Sequence, residues 1–146
     1  YAKDKGYRLL MIGQGELLEQ VKHSISENSI DLAVTIIEKI ENSIIWETYR
    51  IAYVYVNLNE HEIFGMSILE AMYYECPVVA LEAPGPDYIM EQGKYGFLCK
   101  DEMEICDRLE SVCLNSNIEI SRKRVGQKFM WKESAKVFTD IINLLN

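Results

Sequence analysis

Two glutamates and a glycine carry the most specific chemical signal in the chain. Glu62 and Glu70 bracket Phe64-Gly65-Met66-Ser67, where a loop runs into an apolar helical stretch. The first N–H groups of a helix have no carbonyl partner within it, and the positive end of the helix dipole lies there. Such a junction can hold a phosphate without Lys or Arg. Carboxylates beside a phosphate repel it unless they accept hydrogen bonds from neighbouring hydroxyls. A sugar nucleotide has hydroxyls on both sides of its diphosphate, on the ribose and on the sugar, so two acceptors flanking one anion hole would suit it. The competing reading is that exposed glutamates decorate a helix start, where acids are favoured in any case. His61, next to Glu62, reads as an exposed loop histidine.

Two further turns belong to the same pattern. Gly13-Gln14-Gly15 follows the apolar run Tyr7–Ile12, and Ala83-Pro84-Gly85-Pro86-Asp87 follows Val78–Leu81. A dinucleotide fingerprint needs a third glycine where Leu18 stands, so the G-x-G-x-x-G pattern fails. Gly13 and Gly15 then serve either a tight turn or the close approach of backbone to a phosphate or sugar.

The elements that must position these residues alternate. Apolar, β-branched runs predict strands at Tyr7–Ile12, Leu32–Ile37, Ile51–Leu58, Val78–Leu81 and Tyr95–Cys99. Helical spacing predicts helices over Glu16–Glu27, Ser43–Arg50, Met66–Glu75 and Asp87–Gln92, with Pro84-Gly85-Pro86 as a turn, and a helical pattern from Glu102 to the end. Short strands joined by helical crossovers predict an α/β fold: a doubly wound parallel sheet, Rossmann-like, with helices on both faces. Ligands of such sheets bind beyond the carboxyl ends of the strands. On that expectation Gly13, Gly15, Glu62, Gly65, Glu70 and Gly85 share one rim.

Composition narrows the function classes. The 146 residues carry a net charge of −8, which argues against a nucleic-acid partner. No apolar run approaches the roughly 20 residues of a transmembrane segment. The chain starts at Tyr1 ahead of a strand, without a signal-peptide pattern, and reads as a piece of a longer protein. Cys76, Cys99, Cys106 and Cys113 form no C-x-x-C pair, and His23 and His61 are the only histidines. That pattern argues against zinc and for unpaired thiols in a reducing, cytoplasmic compartment, with Cys106 and Cys113 on one helix face.

The segment Glu62–Leu98 (EIFGMSILEAMYYECPVVALEAPGPDYIMEQGKYGFL) resembles the C-terminal half of the group 1 family of retaining GT-B glycosyltransferases. The shared pattern is E-x7-E at Glu62 and Glu70, the E-A-M and C-x-V-V-A stretches, and the turn after Leu81. The Gly13-x-Gly15 turn and an aromatic-led terminal helix from Phe129-x-Trp131 to Leu145 also match. Ile63 stands where the family has Gly, Glu38 where a Gly is common, and Pro84-Gly85 for a Gly-Gly.

The resemblance implies a single donor-binding domain over residues 1–146, the C-terminal half of a two-domain enzyme. Glu62 would be catalytic, contacting the donor sugar and steadying charge at its anomeric carbon. Glu70 would accept from the ribose hydroxyls. The N–H groups of Phe64, Gly65, Met66 and Ser67 would hold the diphosphate, and the segment at Lys39 and Ile40 would frame the base. Gly13 and Gly15 would complete the donor site. The implied donor is a nucleotide-diphosphate sugar, a UDP-sugar first, with no metal and no other cofactor. The implied acceptor is a glycan or lipid-linked hydroxyl reached through an N-terminal domain. Polysaccharide or glycan biosynthesis in bacteria is the implied setting, at the cytoplasmic face of the inner membrane where the acceptor is lipid-linked. The basic residues that the family places just ahead of this segment have no counterpart in Lys3, Lys5 and Arg8, so the piece alone is expected to bind donor weakly and transfer little. A sugar-nucleotide epimerase of the same architecture and a non-catalytic interaction module are the competing expectations.

Overall fold

The computed structural model describes residues 4–115 and 118–145. The chain is α/β with parallel sheets and helices on both faces, and it divides into two compact units, Tyr1–Ile45 and Trp46–Asn146. The five expected strands are present, hydrogen-bonded as two separate ladders.

In the first unit, β1 (Leu9–Ile12) pairs in parallel with β2 (Val34–Ile37), from Leu9 opposite Val34 to Ile12 opposite Ile37. The crossover is α1 (Leu18–Glu27), followed by a 3₁₀ turn at Asp31–Ala33. Lys22 on α1 bridges Glu19 at 2.9 Å and Glu38 at 3.0 Å. These pairs are solvated, and such pairs contribute little to stability.

Helix α2 (Asn42–Ile51) begins in the first unit and ends in the second. The second unit then runs β3 (Tyr55–Asn57), α3 (Met66–Tyr73), β4 (Val78–Leu81), α4 (Pro84–Met90), β5 (Phe97–Cys99), α5 (Glu102–Asn115), α6 (Ile118–Lys128) and α7 (Trp131–Leu145). Its strands are all parallel in the order β3-β4-β5, so the wholly buried β4 is central. Side chains alternate along a strand. Val79 and Leu81 therefore join Cys99 and the α5 residues Ile105 and Val112 in one core. Val78 and Ala80 are left for the opposite face, where α3 packs through Ile68, Leu69, Ala71 and Met72.

Several segments differ from the sequence expectation, among them Leu32 and Ala33, read as strand but held in the 3₁₀ turn ahead of β2. Residues 51–54 read as the start of a strand, but α2 continues to Ile51, and the Ala52 N–H bonds back to the Thr48 carbonyl at 3.0 Å. Tertiary packing overrides β propensity here. Trp46 and Tyr49 stack on Tyr74, with centroids 5.9 and 6.4 Å apart, and only the helix presents both rings to it. Pro84-Gly85-Pro86 is the first turn of α4 rather than a free turn. Proline suits that position, because its missing N–H would have no helical partner there.

Helix α4 ends early, at a left-handed Glu91 (φ 46°), instead of running to Gln92. Its end is closed from α6. The buried Arg124 guanidinium donates to the carbonyls of Ile89 (2.5 Å) and Tyr88 (2.9 Å) and pairs with Glu91. It also lies over the Tyr95 and Phe129 rings, at 4.7 and 5.4 Å. Cys76, Cys99 and Cys106 are free thiols. The side chain of Cys113 lies outside the described residues.

Candidate functional site

The site grows out of the carboxyl end of β3. Asn57, the last residue of the strand, is buried, and its Oδ1 accepts the Asn59 N–H at 2.8 Å. Asn59 repeats the device two residues on, its Oδ1 accepting the His61 N–H at 3.1 Å. Side-chain acceptors of this kind fold a loop without a ladder. Asn59 then fixes Glu62 twice. Its carbonyl accepts the Glu62 N–H at 3.2 Å, and its Nδ2 donates to Glu62 Oε2 at 3.3 Å.

The loop is pinned from the other side by α4. The Gly85 N–H donates to the Glu62 carbonyl at 2.9 Å. A Cβ on Gly85 would fall 2.4 Å from the Phe64 carbonyl oxygen and 2.7 Å from its nitrogen, so only glycine lets the two backbones meet. Gly65 caps α3 in the left-handed region, at φ +95°, with no side-chain cap. A Cβ there would meet Ile68 Cδ1 at 2.9 Å and Glu62 Cγ at 3.4 Å, which shows that the Glu62 side chain lies alongside the helix start. The Ile68 and Leu69 N–H groups return to the Gly65 carbonyl. Met66 and Ser67 precede them, so their N–H groups have no carbonyl within the helix.

Glu70 is half-buried one turn into α3, and the Tyr49 hydroxyl donates to its Oε2 at 3.1 Å. Burial, and then the charge of Glu70, push the Tyr49 phenol well above its ordinary range, so it remains a donor. The Tyr55 hydroxyl donates to Ser67 Oγ at 2.8 Å, and burial raises that phenol too.

Of the residues singled out in the sequence, Glu62, Phe64, Gly65, Met66, Ser67 and Glu70 form one loop-and-helix junction in the second unit. Gly13, Gly15, Lys39 and Ile40 lie in the first unit. There the Gly13 N–H donates to the Ile37 carbonyl at 3.0 Å, so Gly13 flanks the end of β2 that leads to Lys39 and Ile40. The Gly15 carbonyl accepts the Leu18 N–H and opens α1. Both groups follow the carboxyl ends of their strands. Sequence reasoning missed Asn57, Asn59, Tyr49 and Tyr55. An Asn-x-Asn at the end of a strand is a legible turn signal, whereas the tyrosines show themselves only once Tyr49 meets Glu70 and Tyr55 meets Ser67.

An open cleft lined by Glu82, Asp87, Gln92 and Arg108 does not include either glutamate of the junction. Among the described residues no three His, Cys, Asp or Glu side chains group as a metal site, and no helix is long and apolar enough to cross a membrane.

Comparison with known proteins adds an independent line. The family described as "Glycosyl transferases group 1" matches residues 1–129. A probable sucrose-phosphate synthase of Thermosipho melanesiensis is 33% identical over 90 residues, covering 60% of this chain and 21% of that protein. Among solved structures, sucrose-phosphate synthase from Thermosynechococcus elongatus superposes with a TM-score of 0.79 at 19% identity, over 94% of this chain and 38% of that one. The C-terminal domain of a glycosyl transferase group 1 family protein from Francisella tularensis gives 0.66 at 18% identity, over 88% and 91%. The chain thus spans about a fifth of the curated relative and nearly all of the isolated domain.

Proposed function

The chain belongs to the group 1 glycosyltransferases, and from that premise we propose that it is the C-terminal, donor-binding domain of a retaining sugar transferase. Its ligand is a nucleoside-diphosphate sugar, with a UDP-sugar as the first candidate. The observation that carries the reading is the junction at Gly65. An uncapped helix start offers N–H groups to an anion, Glu62 stands beside it, and Glu70 lies one turn further in. The roles follow from the chemistry. The N–H groups of Met66 and Ser67, with those of Phe64 and Gly65, hold the diphosphate. Glu70 accepts from the ribose hydroxyls. Glu62 accepts from the donor sugar and steadies positive charge that develops at the anomeric carbon. The bond from that carbon to the diphosphate breaks, an acceptor hydroxyl oxygen joins the same face, and the hydroxyl proton passes to the departing diphosphate oxygen.

On this reading the helix start supplies the charge stabilisation and no resident metal is required. For the first unit, the family resemblance alone assigns Gly13 and Gly15 to donor contact and Lys39 and Ile40 to the base. The acceptor, a glycan or lipid-linked hydroxyl, is held by another domain of a longer, cytoplasmic chain engaged in glycan biosynthesis. The 146 residues alone then bind donor weakly and transfer little, because positioning the acceptor and excluding water need a closed cleft.

Titrating the chain with UDP, GDP and ADP and their sugar conjugates, followed by amide NMR shifts, tests the reading. The expected result is one preferred base, shifts at Gly65–Ser67 and Glu70, and affinity about tenfold weaker in Glu70→Ala, the scale of a lost hydrogen bond to a charged group. Silence from every nucleotide, both for this chain and for a longer one carrying the preceding domain, would overturn it.

A further inference from the structure

A buried phenol and a half-buried one stand behind the junction and touch two of its polar side chains. Tyr49, on α2, is 6% exposed and donates to Glu70 Oε2, while Tyr55, on β3, donates to Ser67 Oγ. The two rings pack edge to face, 5.7 Å between centroids, and Tyr49 also stacks on Tyr74 at 6.4 Å. Neither phenol can swing without breaking that packing, and fixed neighbours of this sort are what hold a binding group in one rotamer.

Proton direction gives the arrangement its meaning. At the end of β3 the Asn57 Oδ1 is occupied by the Asn59 N–H, which folds the loop away from Tyr55, two residues earlier on the strand. Tyr55 gives its proton to Ser67. With its oxygen receiving from Tyr55, the Ser67 hydroxyl has its own proton to donate elsewhere, at the second residue of a helix start suited to anions. At Glu70 the order is reversed. One carboxylate oxygen is taken by Tyr49, and the other keeps its lone pairs for a donor such as a hydroxyl.

We propose that Tyr49 and Tyr55 are positioning residues of the donor site, Tyr49 aiming Glu70 as an acceptor for ribose hydroxyls and Tyr55 aiming Ser67 as a donor to the diphosphate. This rests on the donor-site reading above and adds what enforces it: each phenol sets both the rotamer and the hydrogen-bonding sense of the group in front of it. Phenylalanine at either position keeps the ring packing and removes only the hydroxyl.

The test uses Tyr49→Phe and Tyr55→Phe in the same chain, with UDP, GDP and ADP, their 2′,3′-dideoxy forms, the phosphate-free nucleosides and inorganic diphosphate as probes. Tyr49→Phe is expected to weaken the preferred ribonucleotide about tenfold and leave its dideoxy form unchanged, since only the former has hydroxyls for Glu70. Tyr55→Phe is expected to weaken the ribonucleotide, the dideoxy form and inorganic diphosphate alike, about threefold, the scale of a neutral hydrogen bond. A purely structural role would lower all probes equally in Tyr49→Phe and, in Tyr55→Phe, would also weaken the phosphate-free nucleosides, which the positioning role leaves unchanged; either pattern overturns the proposal. A ligand-free measurement separates it from the donor reading: in Tyr49→Phe the Glu70 carboxylate carbon resonance must move while the melting curve stays cooperative. An unmoved resonance refutes the positioning role whatever binds. A moved resonance with no nucleotide bound, even to a longer chain, refutes the donor site and with it the assignment to ribose and diphosphate.

Discussion

The two units use the same strand-helix-strand grammar and reach different degrees of burial. In the second, Ile68, Val79, Ile89 and Val112 are completely sequestered from solvent. In the first, none of the described residues is buried, and Leu32 stays 94% exposed. Strand number accounts for the contrast. β4 is paired on both edges and covered on both faces, whereas β1 and β2 have one partner each and share a single crossover helix. Two strands do not make an independent core. The lesson concerns the candidate residues, since Glu62, Gly65 and Glu70 are anchored to a packed body. For the residues of the first unit, the Gly13-to-Ile37 bond is the tie at the strand ends.

That contrast can be broken deliberately. The largest effect belongs to the core: Ile68→Ala removes a wholly buried side chain under α3 and is expected to cost about 2–5 kcal/mol in urea unfolding. A loss below about 1 kcal/mol would show that the second unit is not held as described. Gly85→Ala comes next, at about 3 kcal/mol, because its Cβ would meet the backbone of Phe64, which cannot step aside. It should also weaken nucleotide binding, since the overlap pushes on the loop that carries Glu62.

Alkaline pH sharpens the comparison further. Burial pushes the Cys76 and Cys99 thiols up to about 11 from 9.0, and Tyr49 also rises. All three lie in the second unit. The folded state then keeps protons that the unfolded chain releases, so stability is full below about pH 9 and is lost progressively toward pH 11. Unfolding midpoints across that range, compared with a Cys76→Ala, Cys99→Ala double variant, check it: the variant should show the shallower decline. The smallest effect is Leu32→Ser, expected within about 0.5 kcal/mol of the parent because its side chain is already in water.

The legible parts of the sequence were those set by local physics. Apolar runs located β1, β2, β4 and β5, and the loop-to-helix step at Gly65 marked the junction. Residues 51–54 were misread because α2 is decided by Trp46 and Tyr49 meeting Tyr74, a contact across more than twenty residues that no local window contains. The Pro84 turn was misread for a related reason: proline favours turns and helix starts alike, and the Phe64 backbone against Gly85 decides between them. The glutamates could be found by spacing. Gly85 could be placed on the same rim and Asn59 in a turn, but not their bonds to Glu62, and the Tyr49 contact with Glu70 could not be found at all because it comes from α2.

Arg124 gives this arrangement an order in time. A nascent chain that has emerged through Cys99 already contains all the described strands, both glutamates and the glycine that clamps their loop. It lacks the guanidinium that closes the far end of α4, which lies 33 residues beyond Glu91. The cap on the far end of α4 can therefore close only after α6 has been synthesised. The residues of the junction, Glu62, Gly65, Glu70 and Gly85, are all made before that cap.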